Sequence, residues 1–333
     1  HLVYFQGDPA AGDLFHCRRA PGEARFSAKV RVNSEPGSAI AVGTIRGAQI
    51  ALGKDDRLHV VWNGSAKATP RGPDGETPVL YTHLADGGTS FVPQRSVATK
   101  AIHHLDGGAC LAADRAGRVY VAWHAGEGEE SRRVWLARSD DGGATFAAER
   151  AIDKDRVGAC ACCGMCGSVA ADGEVQFLYR SARDKVHRDI VLLGSVDGGD
   201  FKSRKLGAWE GKTCPMSSAS LEHAPGGDWA AWETGPQVFF ARLDAKDKKG
   251  ASPAAPPGDG VGRKHPRLAA NAAGQVLLVW TEGTGWQRGG RLAWQLFDGA
   301  GKALATKGDA DGIPIWSFAA VAPLANGDFL VLH

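Results

Sequence analysis

The chain has 333 residues, 43% of them hydrophobic and 23% charged, with a formal net charge of +2 at pH 7. This is a globular composition with ample material for a core, and its near-neutral balance gives no reason to expect a nucleic-acid partner. No apolar run approaches the ~20 residues that a membrane-spanning helix needs, so no membrane span is expected.

Residues 1–7, His1-Leu2-Val3-Tyr4-Phe5-Gln6-Gly7, look like a protease-site remnant of an expression tag. They are set apart from the single domain expected over residues 8–333. A mature chain starting at Asp8 fits removal of a secretory signal, so a secreted or periplasmic location is expected. One pattern then recurs: small or apolar residues, a polar turn, and an alternating apolar strand that closes on an aromatic. It occupies residues 48–62, 110–123, 168–179, 267–280 and 318–332, with a further copy closing at Trp232. The aromatics Trp62, Trp123, Tyr179, Trp232 and Trp280 stand 48 to 61 residues apart. Short strands and Gly-rich turns at that period predict an all-β fold, a six-bladed β-propeller. The last blade lacks its outer strands, and residues 24–32 are expected to supply one, closing the ring so that no sheet edge stays open.

The turns between outer strands carry a family resemblance. Ser139-Asp140-Asp141-Gly142-Gly143-Ala144-Thr145-Phe146 matches the Asp-box, S-x-D-x-G-x-T-F/W, and degenerate copies stand at Asp86-Gly87-Gly88-Thr89-Ser90-Phe91 and Ser195-Val196-Asp197-Gly198-Gly199-Asp200-Phe201. An Asp that accepts backbone N–H groups, glycines at positive φ and an aromatic beneath suit a hairpin turn. The chain therefore resembles the sialidase-like (BNR/Asp-box) propellers. The resemblance implies the fold and leaves the chemistry open. Sialidases also use three arginines on a carboxylate, a Tyr–Glu nucleophile pair, an Asp acid and a Phe-Arg-Ile-Pro segment. The nearest match to that segment here, Thr44-Ile45-Arg46-Gly47, keeps only the Arg, and no nucleophilic Tyr stands out among four. The cysteine motif, the Tyr-Arg and Arg-Asp pairs after it and a Cys-Pro one blade later are similar to a cysteine-rich, non-sialidase subgroup with no activity to carry over.

Sulfur is where this sequence is unusual. Residues 158–168 hold four of the seven cysteines, Cys160, Cys162, Cys163 and Cys166, together with Met165. The second of the two methionines, Met216, follows Cys214-Pro215. Methionines that merely fill a core do not gather beside thiols, and soft sulfur ligands favour copper, zinc or iron–sulfur centres. An odd cysteine count forbids complete intramolecular pairing, although disulfides remain the alternative. Aligning the blades on their closing aromatics brings the loops that lead into them to one axial face. On that alignment Cys166 and His265 share a position, and Cys214 falls near that of Cys163. The expected metal ligands are Cys160, Cys162, Cys163, Cys166, Cys214, Met165, Met216, His104, His124 and His265. Thiolate, thioether and imidazole together favour copper, with zinc second. Arg180, Arg188, Asp189 and Glu233 are candidates for a catalytic pocket holding a small anionic or peptide substrate. Trp209, Trp286 and Trp316 are candidates for its walls. The expected function is a copper-dependent oxidoreductase or a copper-handling protein. A glycoside hydrolase of sialidase type and an interaction propeller with structural disulfides are the alternatives.

Overall fold

The computed structural model describes residues 1–45, 47–102, 107–154, 157–170, 172–213, 215–243, 252–260, 262–285, 287–315 and 317–333. Its organising elements are strands buried on both faces. β5 (Leu58–Asn63), β9 (Val119–Ala125) and β13 (Val175–Arg180) are buried along their whole length. A strand clamped between neighbouring sheets has no wet face, so it reads as an apolar run rather than a strict alternation. Each lies second in an antiparallel sheet. Blade one is β4 (Gln49–Leu52), β5, β6 (Val79–His83) and β7 (Arg95–Ser96); blade two is β8 (Cys110–Ala113), β9, β10 (Arg133–Ser139) and β11 (Arg150–Ala151). Blade three is β12 (Cys166–Val169), β13, β14 (Ile190–Ser195) and β15 (Lys202–Gly207). Blade four is β16 (Ala219–Ala224), β17 (Gly227–Thr234) and β18 (Gln237–Leu243), extended by a lone bridge between Phe240 and Ala254. Blade five is β19 (Arg263–Ala270), β20 (Val276–Glu282), β21 (Gly290–Phe297) and β22 (Ala303–Ile313).

The sixth position is shared by two short sheets. The hairpin of β23 (Ala320–Pro323) and β24 (Phe329–Leu332) packs with blade five through Val321, Phe329 and Val331. An N-terminal sheet of β1 (Leu2–Gln6), β2 (Asp13–Cys17) and β3 (Val30–Arg31) packs against blade one through Leu14 and Val32. The six-bladed ring with an N-terminal contribution is therefore observed, with a different pairing from the one expected. Within residues 24–32 only Val30 and Arg31 form a strand, and they pair with His16 and Phe15 of β2. Residues 1–7 are also not passive. The β-prone run Leu-Val-Tyr-Phe-Gln pairs in register from Leu2↔Cys17 to Gln6↔Asp13.

Between blades the core is aliphatic and aromatic, with Trp62, Trp123, Trp232 and Tyr179 among its largest fully buried side chains. In the turn after β10, Asp141 Oδ1 accepts from the Ser139 hydroxyl at 2.7 Å and the Thr145 N–H at 2.8 Å, while Gly142 and Gly143 take positive φ. Phe146 meets Tyr81 of blade one edge-on at 4.9 Å, so this turn also ties two blades together.

One buried carboxyl at a blade junction sets a pH dependence. Glu222 on β16 accepts the Ala270 N–H of β19 at 3.0 Å. Burial pushes its carboxyl up to about 7, against the downward pull of that N–H and of His223. A carboxyl raised in the folded state holds its full stabilisation below the unfolded value near 4.3. The stabilisation is then lost as pH climbs toward 7, because ionisation is easier in the unfolded chain. Between pH 4.5 and 8 this group removes on the order of 1–2 kcal/mol, allowing for its partial exposure. Glu222→Gln keeps the acceptor and abolishes the loss. Denaturant melts at pH 5 and pH 8 should show the variant gaining on wild type only at the higher pH. Equal gains at both would remove Glu222 as the cause.

Candidate metal centre

The loop leading into blade three is held from several sides. The Cys160 N–H donates to the Arg180 carbonyl at 2.9 Å and the Gly164 N–H to the Ser217 carbonyl at 2.9 Å. The Thr44 hydroxyl donates to the Cys162 carbonyl at 2.6 Å. Gly107 of blade two passes so close that a Cβ there would stand 2.2 Å from His124 Nε2 and 2.3 Å from the Cys163 carbonyl oxygen. Only glycine fits that crossing. The outcome is a loop whose sulfurs have fixed places.

Three of those sulfurs converge. The Sγ atoms of Cys160, Cys162 and Cys163 all lie within 4.8 Å of one another. Cys160 and Cys163 share a hydrogen bond at 3.0 Å, and Cys160 and Cys162 stand 3.7 Å apart. Cys160 and Cys163 are buried, whereas Cys162 is partly exposed. Three thiolates around one ion at bonds of ~2.3 Å sit roughly 4 Å from each other, so the spacing suits a shared metal. The oxidation state does not yet suit one. Cys162 is disulfide-bonded, while Cys17, Cys110, Cys160, Cys163 and Cys166 are in the thiol form. A disulfide sulfur is no thiolate ligand, so the trio becomes a three-thiolate set only on reduction.

The surroundings favour negative charge on sulfur. Burial pushes the Cys163 thiol up, but the Cys160 hydrogen bond, the Arg180 guanidinium and the Ser217 hydroxyl (3.3 Å away) outweigh it, bringing Cys163 to about 7. Cys160 moves the opposite way, raised by the same shared hydrogen bond and then by burial. Arg188 also acts on both sulfurs. Its Nη2 pairs with Glu129 at 2.9 Å, and its buried Nη1 has no hydrogen-bond partner among the described residues.

The other expected ligands are placed elsewhere. Cys166 opens β12 and packs into the core between blades three and four. Burial pushes its thiol up to about 12, against the Arg267 guanidinium. Its register explains the miss. Cys166 pairs with Leu178, one residue before the closing Tyr179, and the matching residue in blade five is Arg267, opposite Val279. The turn after β12 spans Ala170 to Glu174 and that after β19 spans Asn271 to Gln275. Matching Ala-Ala-Asp to Ala-Ala-Asn in the sequence therefore slips by two. His265 lies in the β19 bulge between Lys264 and Arg267, with a φ of 54°. Its Nδ1 is 3.3 Å from both Glu233 Oε1 and the Ser218 hydroxyl, and its ring stacks on Phe318 at 4.1 Å. His124 faces the sulfur loop but directs Nε2 at the Cys163 carbonyl oxygen, 3.1 Å away. Met165 is buried in the core between blades two and three. Met216, at φ 47°, approaches Gly43 and lends its carbonyl to Lys264 at 3.5 Å. His104 and Cys214 lie outside the described residues.

The candidate catalytic residues are mostly scaffolding. Arg180 donates to the Ser217 hydroxyl at 2.8 Å, to the Arg188 carbonyl at 2.6 Å and to the Glu233 carbonyl, and it lies 5.0 Å over the Trp209 ring. Glu233 Oε1 accepts the N–H groups of Ser218 at 2.9 Å and His265 at 2.8 Å. Burial would raise its carboxyl, but His265, Lys264 and the Ser218 N–H bring it down to about 2. Asp189 accepts from Arg183 and Trp209 at 3.4 Å. Trp209 thus supports an arginine rather than walling a pocket, and Trp286 and Trp316 lie outside the described residues. Ser217, Glu129 and Thr44 were missed as partners of the cysteine loop. Only Ser217 carried a signal, its place just after Cys-Pro-Met.

A cleft of ≈ 1280 Å³ is lined largely by the N-terminal sheet and the β23–β24 hairpin, and it reaches Asn63, Gly107, Met165, Ser218 and Arg267 of blades one to five. It touches Gly164 and Met165 but none of the three clustered sulfurs, which sit behind its wall. The succession of antiparallel sheets decides the architecture. The chain is a six-bladed β-propeller. No family model and no curated protein matches it. Among solved structures, the propeller is similar to the NanB sialidase of Streptococcus pneumoniae, with a TM-score of 0.62 and 9% identity over 92% of this chain and 67% of that one. A Hadza microbial sialidase aligns at 0.57 and 16% identity over 94% of this chain and 69% of that one. A Dyadobacter fermentans protein of unknown function aligns at 0.57 and 13% over 85% and 88%. At such identities the likeness is one of fold.

Proposed function

We propose that this propeller binds a soft metal ion, copper(I) first, through Cys160, Cys162 and Cys163 once they are reduced. The observation that carries the reading is the gathering of three sulfurs within 4.8 Å in a loop held by backbone hydrogen bonds. Among the described residues the group contains no histidine or carboxylate. An all-sulfur set with three members suits copper(I) better than zinc, which prefers four ligands. Arg180 and Arg188 offset the negative charge that three thiolates bring. Burial of Cys160 and Cys163, and their separation from the cleft, support holding or delivering the ion over turning over a substrate on it. The Cys162 disulfide supports a secreted or periplasmic setting.

The test is reduction, anaerobic reconstitution with copper(I), desalting, and elemental analysis by mass spectrometry. One copper per chain is expected, with ultraviolet thiolate-to-metal absorption. A chain that retains neither copper nor zinc after this treatment overturns the reading.

The glycosidase alternative rests on fold alone. Of the tyrosines, Tyr81 bonds His59 at 2.6 Å, and Tyr120 and Tyr179 are buried in a core cluster. None of these three lines the cleft, where Tyr4 of β1 stands. The purified protein is expected to leave a fluorogenic sialoside intact over hours at micromolar enzyme. Turnover above that of heat-inactivated protein would reverse this conclusion.

A further inference from the structure

Two of the clustered sulfurs stand closer together than a shared metal requires. Cys160 and Cys163 share a hydrogen bond at 3.0 Å, inside the roughly 4 Å that separates two thiolates on one ion. With Ala182 they pack in a small cluster of their own, whereas Cys110 and Cys166 lie in two other core clusters. The loop that carries them is anchored on both sides. The Cys160 N–H donates to the Arg180 carbonyl, the Gly164 N–H donates to the Ser217 carbonyl, and Ala159 bridges to Ser181. Cys160-Ala161-Cys162-Cys163 also has the C-x-x-C spacing of dithiols that open and close as a disulfide. Two bonded sulfurs stand at ~2.05 Å, so closure moves each side chain by only about half an ångström. The backbone anchors can stay as they are.

We infer that Cys160 and Cys163 are a site of reversible oxidation, a dithiol that hydrogen peroxide closes into a disulfide within the loop. One sulfur, as thiolate, attacks a peroxide oxygen. An S–O bond forms, the O–O bond breaks, and hydroxide leaves with the electron pair. The other sulfur, as thiolate, then attacks the sulfenic sulfur. The S–S bond forms, the S–O bond breaks, and a second hydroxide leaves. The two thiol protons turn both hydroxides into water, so the pair loses two electrons and one peroxide gains them. Cys162 is itself disulfide-bonded and takes no part. The oxidant has to be small, because both sulfurs are buried. Cys162, partly exposed and 3.7 Å from Cys160, puts the pair one residue beneath the surface. With the second thiol already in contact, capture of the sulfenic acid is intramolecular and outruns irreversible oxidation to sulfinic acid. Closure also withdraws two of the three thiolates from the metal proposed above and releases it. That consequence alone rests on the metal reading.

Metal-free protein, prepared with a chelator under argon, is exposed to hydrogen peroxide, quenched with catalase, unfolded and alkylated. Reduction and a second alkylating label then mark the sulfurs that had been oxidised. Digestion after Arg156 and Arg180 keeps the four clustered cysteines on one peptide for mass spectrometry. In wild type, peroxide should remove the first label from Cys160 and Cys163 in equal yield and leave Cys166 labelled. Dithiothreitol should restore both. Cys160→Ser and Cys163→Ser each deprive one sulfur of its partner, which should pass to sulfinic acid and take neither label. Wild type that keeps the first label at both sites, or loses it at one without the other, overturns the proposal. So does wild type that accumulates sulfinic acid at the level of the single variants. If the variants fail to fold, the wild-type label pattern decides alone. No copper enters the experiment, so a chain that binds none leaves the result standing. A pair that fails to close leaves copper loading of the reduced protein untouched.

Discussion

Cys163→Ser should remove nearly all copper(I) binding from the reduced protein, and Cys166→Ser should remove none. The two cysteines are three residues apart and equally sulfur-bearing, so sequence proximity does not separate them. The fold does. Cys163 sits within the 4.8 Å sulfur trio, whereas Cys166 is packed in the core beside Leu178 and Ala219. Loss of a direct ligand should exceed the ~10–100-fold that loss of a supporting residue costs in metal affinity. Ser217→Ala provides the supporting case. It deletes a hydroxyl 3.3 Å from the Cys163 sulfur and should weaken binding by about 10-fold. Competition titration against a chromogenic copper(I) chelator under argon measures all three. Equal losses for Cys163→Ser and Cys166→Ser would sink the trio as the binding unit.

The second large effect is on stability. Arg180 is buried, and its guanidinium reaches the Ser217 hydroxyl and the Arg188 and Glu233 carbonyls, joining the loops around blades three and four. Arg180→Ala leaves these acceptors without their donor in a place water reaches poorly. At ~1–3 kcal/mol for each unsatisfied buried group, with partial relaxation, the loss should be about 3–5 kcal/mol. The melting temperature should then fall by roughly 4–7 °C. Arg180→Lys should recover less than half, since an ammonium cannot reproduce the planar fork that reaches separate acceptors. Differential scanning calorimetry of both variants decides the point. If Arg180 instead served a substrate anion, Arg180→Ala would melt with wild type.

Fold and site were legible to different degrees. The blade period, the closing aromatics and the turn at Ser139–Phe146 are local signals, repeated in register, because every blade must bury the same kind of inner strand against its neighbours. They determined the six-bladed ring. The sulfur-rich loop was equally visible as a concentration of Cys160, Cys162 and Cys163. Which side chains join it was not legible. One bulge in β19 and a two-residue difference in where the hairpin turns fall moved His265 and Cys166 out of the expected alignment. In a strand the one-residue bulge turns a side chain to the other face, while a two-residue shift keeps its face and moves it along the strand. Sequence also offered no means of telling a charge that binds a ligand from one that binds the backbone. Arg180 and Glu233 became structural only when their partners, far along the chain, came within hydrogen-bond reach. Sulfur content and blade period were thus written along the chain, while the trio's membership was decided by tertiary packing, which alone sets distances between loops.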